Sequence, residues 1–223
     1  VVDARLDLLG QISPERAAID GALGRYLAEK IEARVNYRIL GWFENGFRQI
    51  SNRLRRVRVP ADLAGIRIRV LPSDVQVRTF ELLGAVPVRC DLTEAIAGIK
   101  AGTLDAQENP FANTVTYGVH KFHHFHTVTN HFYISRPIFL HRPTFDAWPA
   151  ELQDAMRAAI KSAVAFQRGL AIEEDAQARA ALLAEGCEIT ELTGDEHGQF
   201  RAAVTALLNA ARGTYGPEMF DLI

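Results

Sequence analysis

Three side chains in this chain could together hold a carboxylate. Arg69 closes the stretch GIRIRV, Asn109 lies in DAQENP and Arg48 lies in GFRQISN. A guanidinium presents a planar fork of N–H donors that matches two carboxylate oxygens, and an amide beside it adds orientation. Arg69 is the primary cation in this scheme and Arg48 a second one. The chain carries 21 Arg against four Lys, so an anion-binding cation here is expected to be Arg. Other chemistries find less support. His120, His123, His124, His126 and His131 cluster, but there is no HExxH pattern and no acid between His120 and His131. Solvated loop histidines are therefore expected, and no metal site. No GxSxG elbow, Walker loop or GxGxxG occurs, so no cofactor is expected. Glu173 and Glu174 read as solvated charges. Cys90 and Cys187 make no CxxC motif; two small buried hydrophobes are the plain reading, with a disulfide left open. An α/β enzyme that clamps a small acid through Arg69 is the rival to a pure binding function. It would need a nucleophile–base pair within hydrogen-bond reach of the acid.

The elements that must position these residues follow from periodicity and punctuation. Residues 13–34 read as a helix with Ser13 as N-cap and Pro14 at its first position. Val35–Trp42 reads as a strand, followed by a turn at Glu44-Asn45-Gly46 and a further extended stretch from Phe47 to Ile50. Arg53, Arg55, Arg56 and Arg58 interleave with apolar residues in NRLRRVRVP, a solvated edge rather than a nucleic-acid patch. Gly65–Val70 alternates as a strand. Ser73 is placed to cap a helix ending at Gly84, and Val86–Asp91 is a strand. Thr93 is placed to cap a helix ending at Gly102, and Leu104–Gln107 is a short strand. Strand, helix, strand, helix, strand in so few residues argues for parallel βαβ units. Arg69 then falls at the carboxyl end of a parallel strand, where open α/β sheets bind ligands. A helical stretch runs on to about His120. His126–His141 reads as two strands broken near Arg136-Pro137. Pro149–Glu185 forms one helical pattern about 50 Å long at about 1.5 Å per residue, so it either spans two lobes or kinks near Gly169. A strand at Cys187–Leu192 and a helix at Glu196–Arg212 complete the chain.

Composition removes several classes. The chain has 223 residues, 48% apolar and 23% charged, which suits a globular protein and not a disordered tail. The formal charge of −2 excludes a basic footprint for nucleic acid. No apolar run reaches the ~20 residues of a membrane helix. The opening VVDARLDLLG lacks a basic-then-apolar start, so the chain reads as cytosolic or already processed.

Several motifs in order resemble one family. GFRQISN, VPADLAGIRIRVLPS, LLGAVPV, AGTLDAQENP, Asn130-His131 and WPAELQDAM are similar to segments of the solute-binding proteins of tripartite ATP-independent periplasmic (TRAP) transporters. AGTLDAQENP is the most specific, and the likeness is strongest from Phe47 to Glu185. The resemblance implies an α/β, periplasmic-binding-protein-like fold. Two lobes are joined by a hinge, a long helix spans both, and the first lobe is incomplete. It divides the chain into 1–46 with 135–174 (lobe one, partial) and 47–134 with 175–223 (lobe two). By similarity, Arg69 would bridge the carboxylate of a small organic acid, Asn109 would hydrogen-bond it, Arg48 would assist and Glu108 would orient the site. The implied location is the periplasm and the implied partners are TRAP membrane subunits. Ala106 replaces a customary Gly, while Leu92 and Ile96 replace frequent aromatics, so the rest of the ligand is not specified. A truncated fragment without a complete pocket is a third reading, and it expects exposed apolar surface.

Overall fold

The alternation of GIRIRV is realised in a parallel sheet edge. The computed structural model describes residues 14–222; the Ser13 cap and the opening VVDARLDLLG lie outside the described residues. The strands are β1 Tyr37–Asn52, β2 Arg67–Val70, β3 Val86–Arg89, β4 Ala106–Asn109, β5 Phe125–His141 and β6 Glu188–Glu191. The helices are α1 Pro14–Asp20, α2 Ala22–Glu32, α3 Asp74–Leu82, α4 Leu92–Ala101, α5 Phe111–Thr116, α6 Arg142–Asp146, α7 Ala150–Ala184, α8 Gly194–Tyr215 and α9 Pro217–Phe220. The sheet order is β3-β2-β4-β1-β5-β6. Strands β2, β3 and β4 are parallel, β5 and β6 are parallel, and β1 runs antiparallel to β4. This is the two-lobe α/β architecture with a long helix belonging to both lobes.

The chain divides into two units, one of residues 1–44, 135–169 and 212–223, the other of 45–134 and 170–211. In the second, Ile66, Ile68, Val70, Phe80, Leu83, Ala106 and Ile50 form a core that Phe200 of α8 closes. Two turns of sequence chemistry fix its βαβ geometry. Asp91, not Thr93, caps α4: its carboxylate accepts from the Glu94 backbone, and Glu94 answers the Asp91 N–H. Gly102 ends that helix in the left-handed region, at φ 73°. The arginine run is anchored within this unit. Arg53 pairs with Asp105, Arg56 with Glu188 and Arg58 with Glu196. Arg55 donates to the carbonyls of Asp62 and Ala64.

In the first unit, α7 packs closely on β1. A Cβ at Gly41 would sit 3.1 Å from Ile160 and 3.2 Å from Val164, so a larger residue there would need those side chains to shift. Arg38 ties Glu32 to Asp146, and Gln167 exchanges two hydrogen bonds with the backbone of Glu44.

Two expected breaks are absent. The turn at Glu44–Gly46 is instead part of the 16-residue β1, with Gly46 at φ 90° absorbing the deviation. The break near Arg136-Pro137 is also absent: β5 is continuous over 17 residues. The long helix is continuous as well, and the division between units falls at Gly169, within α7.

Candidate functional site

Arg69 is 4% exposed on β2, with Gln107 of β4 as its register partner on one side and Val88 of β3 on the other. Its Nε donates to the Cys90 carbonyl at 3.1 Å. Among the described residues no carboxylate pairs with it. A buried guanidinium without a counterion is costly, so this position is suited to an anion that arrives from outside. It stands at the carboxyl edge of the parallel strands, as expected.

Strand alternation sorts the other residues. The register pairs Gln49 with Asn109, Ile50 with Glu108 and Ser51 with Gln107. Arg69, Gln107, Asn109, Ser51 and Gln49 therefore rise from one face. Ile68, Val70, Ala106, Ile50 and Glu108 rise from the other, where the apolar members join the core. Arg48 starts on the Glu108 face. Its guanidinium is ion-paired with Glu108 and donates to Glu108 Oε1 at 2.8 Å. It also reaches Asn109 Oδ1 at 2.9 Å.

The expected roles are thus distributed unequally. Arg48, Glu108 and Asn109 meet in one network, while Arg69 stands apart on the neighbouring strand. Arg48 does not offer a second free charge, because Glu108 neutralises it. Glu108 is fully buried, and burial opposes its ionisation. Hydrogen bonds from His131 and Arg48 outweigh that and hold its carboxyl below the usual range.

Sequence reasoning missed the polar residues that surround this network. Asn109 Nδ2 donates to Gln107 Oε1 at 2.6 Å. Gln107 Nε2 donates to Thr114 Oγ1 at 3.0 Å and to Ser51 Oγ at 3.4 Å. Gln49 exchanges two hydrogen bonds with Asn130, at 2.6 and 3.0 Å. Asn130 has φ 45°, a left-handed conformation inside β5. The next residue, His131, lies 3.3 Å from Glu108 Oε2. The available signal was the two-residue period: Gln107 is two before Asn109, and Gln49 two before Ser51.

The histidines are not uniformly solvated. His123 and His126 are 0% and 1% exposed. Burial pulls the first down to about 3 and the second to about 4. They pack under β1 and α5: His123 Nδ1 lies 3.0 Å from Ser51 Oγ, and the His126 ring meets Phe111. Ser51–His123 has the spacing of a nucleophile–base pair, but Ser51 is 2% exposed and His123 Nε2 has no hydrogen-bond partner to orient it. A ring so reluctant to take a proton is a poor general base. Among the described residues no three His, Cys, Asp or Glu side chains cluster as metal ligands, and no helix is long and apolar enough to cross a membrane. Both cysteines are free thiols.

Comparison with known proteins gives a consistent set. Residues 14–213 match the family described as DctP, bacterial extracellular solute-binding protein, family 7. A solute-binding protein of Verminephrobacter eiseniae is 30% identical over 208 residues, covering 93% of this chain and 61% of that protein. The 2,3-diketo-L-gulonate-binding periplasmic protein YiaO of Escherichia coli is 30% identical over 156 residues, 70% of this chain and 47% of that protein. The crystal structure of the sugar acid binding protein DctPAm from Advenella mimigardefordensis, in complex with galactonate, superposes with a TM-score of 0.85 at 26% identity. It is covered to 66%, against 92% of this chain. The chain spans about half to two thirds of the length of these relatives.

Proposed function

The chain belongs to the family 7 bacterial extracellular solute-binding proteins, and from that premise we propose that it binds a small organic acid through Arg69 and Asn109 for a TRAP transporter. Members of this family are periplasmic and non-catalytic, and so is this chain. Arg69 forms the salt bridge to the ligand carboxylate, Asn109 donates to the same group, and the Arg48–Glu108 pair holds Asn109 in place. The family resemblance divides the lobes as 1–46 with 135–174 and 47–134 with 175–223; the compact units follow this closely except that 212–223 groups with the first. The loaded protein then passes its acid to the membrane subunits of the transporter.

One observation carries this reading. Among the described residues two arginines are buried: Arg48 is neutralised by Glu108, whereas Arg69 has no acid beside it. The relatives add support for the chemical class: one binds galactonate and another is named for 2,3-diketo-L-gulonate, both sugar acids.

A thermal-shift screen tests it, with galactonate, glucuronate, pyruvate and succinate on the wild type and on Arg69→Ala. Binding to the folded state alone stabilises by about 2.7 kcal/mol when ligand is at roughly 100 times its Kd. At least one acid is expected to raise the wild-type midpoint and to leave Arg69→Ala unmoved. No shift with any acid, or equal shifts in both proteins, refutes the carboxylate clamp.

A further inference from the structure

We propose that Gln107 is a positioning residue for the carboxylate subsite: its side-chain amide locks that of Asn109 so that one Nδ2–H is held ready for an incoming carboxylate. This rests on the reading of Arg69 and Asn109 as the carboxylate clamp, and it adds a residue to that clamp which touches no ligand itself.

The argument is one of hydrogen-bond polarity. Side-chain amides have two ends that differ only in which atom donates, so an isolated Asn or Gln can flip. This chain of groups is anchored at both ends by atoms with a single role. At one end, Arg48 can only donate; its Nη2 shares two protons among the Glu108 carbonyl at 2.6 Å, Glu108 Oε1 at 2.8 Å and Asn109 Oδ1 at 2.9 Å, so the Asn109 oxygen is the end that faces it. At the other end, the Pro110 carbonyl can only accept, and Thr114 Oγ1 donates to it at 3.1 Å. With its proton spent there, Thr114 Oγ1 accepts from Gln107 Nε2 at 3.0 Å. The Gln107 amide then turns its oxygen to Asn109 Nδ2, 2.6 Å away. Both anchors give the same orientation. The second Gln107 N–H goes to Ser51 Oγ at 3.4 Å, and Ser51 Oγ lies 3.0 Å from His123 Nδ1.

Every member of the relay is buried: Gln107 at 2%, Ser51 at 2%, Thr114 at 1% and His123 at 0%. Buried networks satisfied in this way favour one arrangement, since a flipped amide would set donor against donor. Asn109 uses Oδ1 on Arg48 and one Nδ2–H on Gln107. Among the described residues the second Nδ2–H has no acceptor. Gln107 is also the register partner of Arg69, so the locked amide and the free guanidinium sit on adjacent strands of the same face.

The test compares wild type with Gln107→Met, which keeps length and loses the hydrogen bonds, and with Thr114→Val, which removes only the group that orients Gln107. The first readout needs no ligand: the two side-chain amide protons of Asn109 in a 15N-correlated spectrum, assigned by their loss in Asn109→Asp. In wild type they are expected to be well separated in shift. In Gln107→Met they should converge, and in Thr114→Val move part of the way. The second readout is calorimetric titration with galactonate, with affinity expected to fall about tenfold in Gln107→Met and about threefold in Thr114→Val, the scale of one hydrogen bond lost or loosened. Unchanged Asn109 resonances in both variants overturn the proposal, and so does full affinity in variants whose resonances have converged. If Gln107→Met does not fold, Thr114→Val alone decides between these outcomes. If wild type binds none of the screened acids while its Asn109 protons are separated and converge in the variants, the amide lock stands and the carboxylate reading fails.

Discussion

Replacing Glu108 by Gln removes one charge from the most deeply buried ion pair among the described residues. Glu108 is 0% and Arg48 3% exposed. The substitution keeps shape and one acceptor oxygen, but it turns an N–H₂ toward groups that themselves donate: Arg48, at 2.8 Å from Oε1, or His131, at 3.3 Å from Oε2. It also leaves Arg48 buried without a counterion. Breaking a buried pair from one side costs about 3–5 kcal/mol. For a chain of this size, each kcal/mol shifts the midpoint by roughly 2–4 °C, so a fall of about 6–20 °C is expected. The pH dependence is more specific. The folded-state pKa of Glu108 lies below its unfolded value, because the hydrogen bonds from His131 and Arg48 outweigh burial. The stability gained from its ionised form is therefore full above the unfolded value, near 4.3 for a free Glu, and is lost as pH falls through the folded value. Glu108→Gln mimics the protonated state, so the gap between wild type and variant should be widest near pH 7 and close in acid. Urea titrations from pH 3 to pH 7 measure it. A gap below about 1 kcal/mol at pH 7, the value of an exposed pair, or one that is constant with pH, would refute the reasoning. The double variant Arg48→Met/Glu108→Leu should recover part of the loss, since replacing both charges by apolar groups avoids the orphaned cation.

Three further outcomes are expected. Asn130→Gly should cost only about 1 kcal/mol, the hydrogen bond to Gln49, while Asn130→Val should cost about 2–4 kcal/mol, because φ 45° is strained for a β-branched residue; urea midpoints in the reverse order would refute this. His123 and His126, pulled down by burial to about 3 and about 4, should show no imidazole titration between pH 5 and 8 in proton–carbon spectra. The unfolded chain takes those protons first, so stability should fall as pH drops from about 6.5 toward 4, and an NMR midpoint near 6.5 for either ring would contradict their burial. Burial raises both thiols, so neither Cys90 nor Cys187 should be a reactive thiolate, and Cys187 should resist a thiol reagent until the protein unfolds; a change of melting midpoint on adding reductant would show a disulfide instead.

The βαβ region was legible because each local signal agreed with the fold. Ile66, Ile68 and Val70 alternate with Arg67 and Arg69, Gly102 closes a helix, and strand direction then places Arg69 at the carboxyl edge of the parallel strands. The long helix was legible because no proline or cap interrupts Ala150–Ala184. Long-range pairing was not legible. Glu44-Asn45-Gly46 has the composition of a hairpin turn, yet it lies within the continuous strand β1, where Gly46 takes the positive φ. Pro137 looked like a break, but lacking an N–H does not prevent an extended backbone. The amide relay was invisible for a related reason: Gln107, Ser51, Thr114 and His123 come from separate segments, and only the fold brings them within hydrogen-bond distance. The same holds for the pairing of Arg48 with Glu108, which lie 60 positions apart in the chain.

Neither unit is a single run of chain, and this orders events on the ribosome. The second unit needs residues 45–134 and then 170–211, with 35 residues of the first unit between them. At about 5–20 residues per second, the 77 residues from 135 to 211 keep the second unit unfinished for roughly 4–15 s. During that interval the core of Ile66, Ile68, Val70 and Phe80 has β1 to β4 but lacks β6 and the cover of Phe200, Leu192 and Val204. The nascent chain thus exposes this apolar cluster during translation, the moment at which a chaperone that recognises such surface would have most effect on yield.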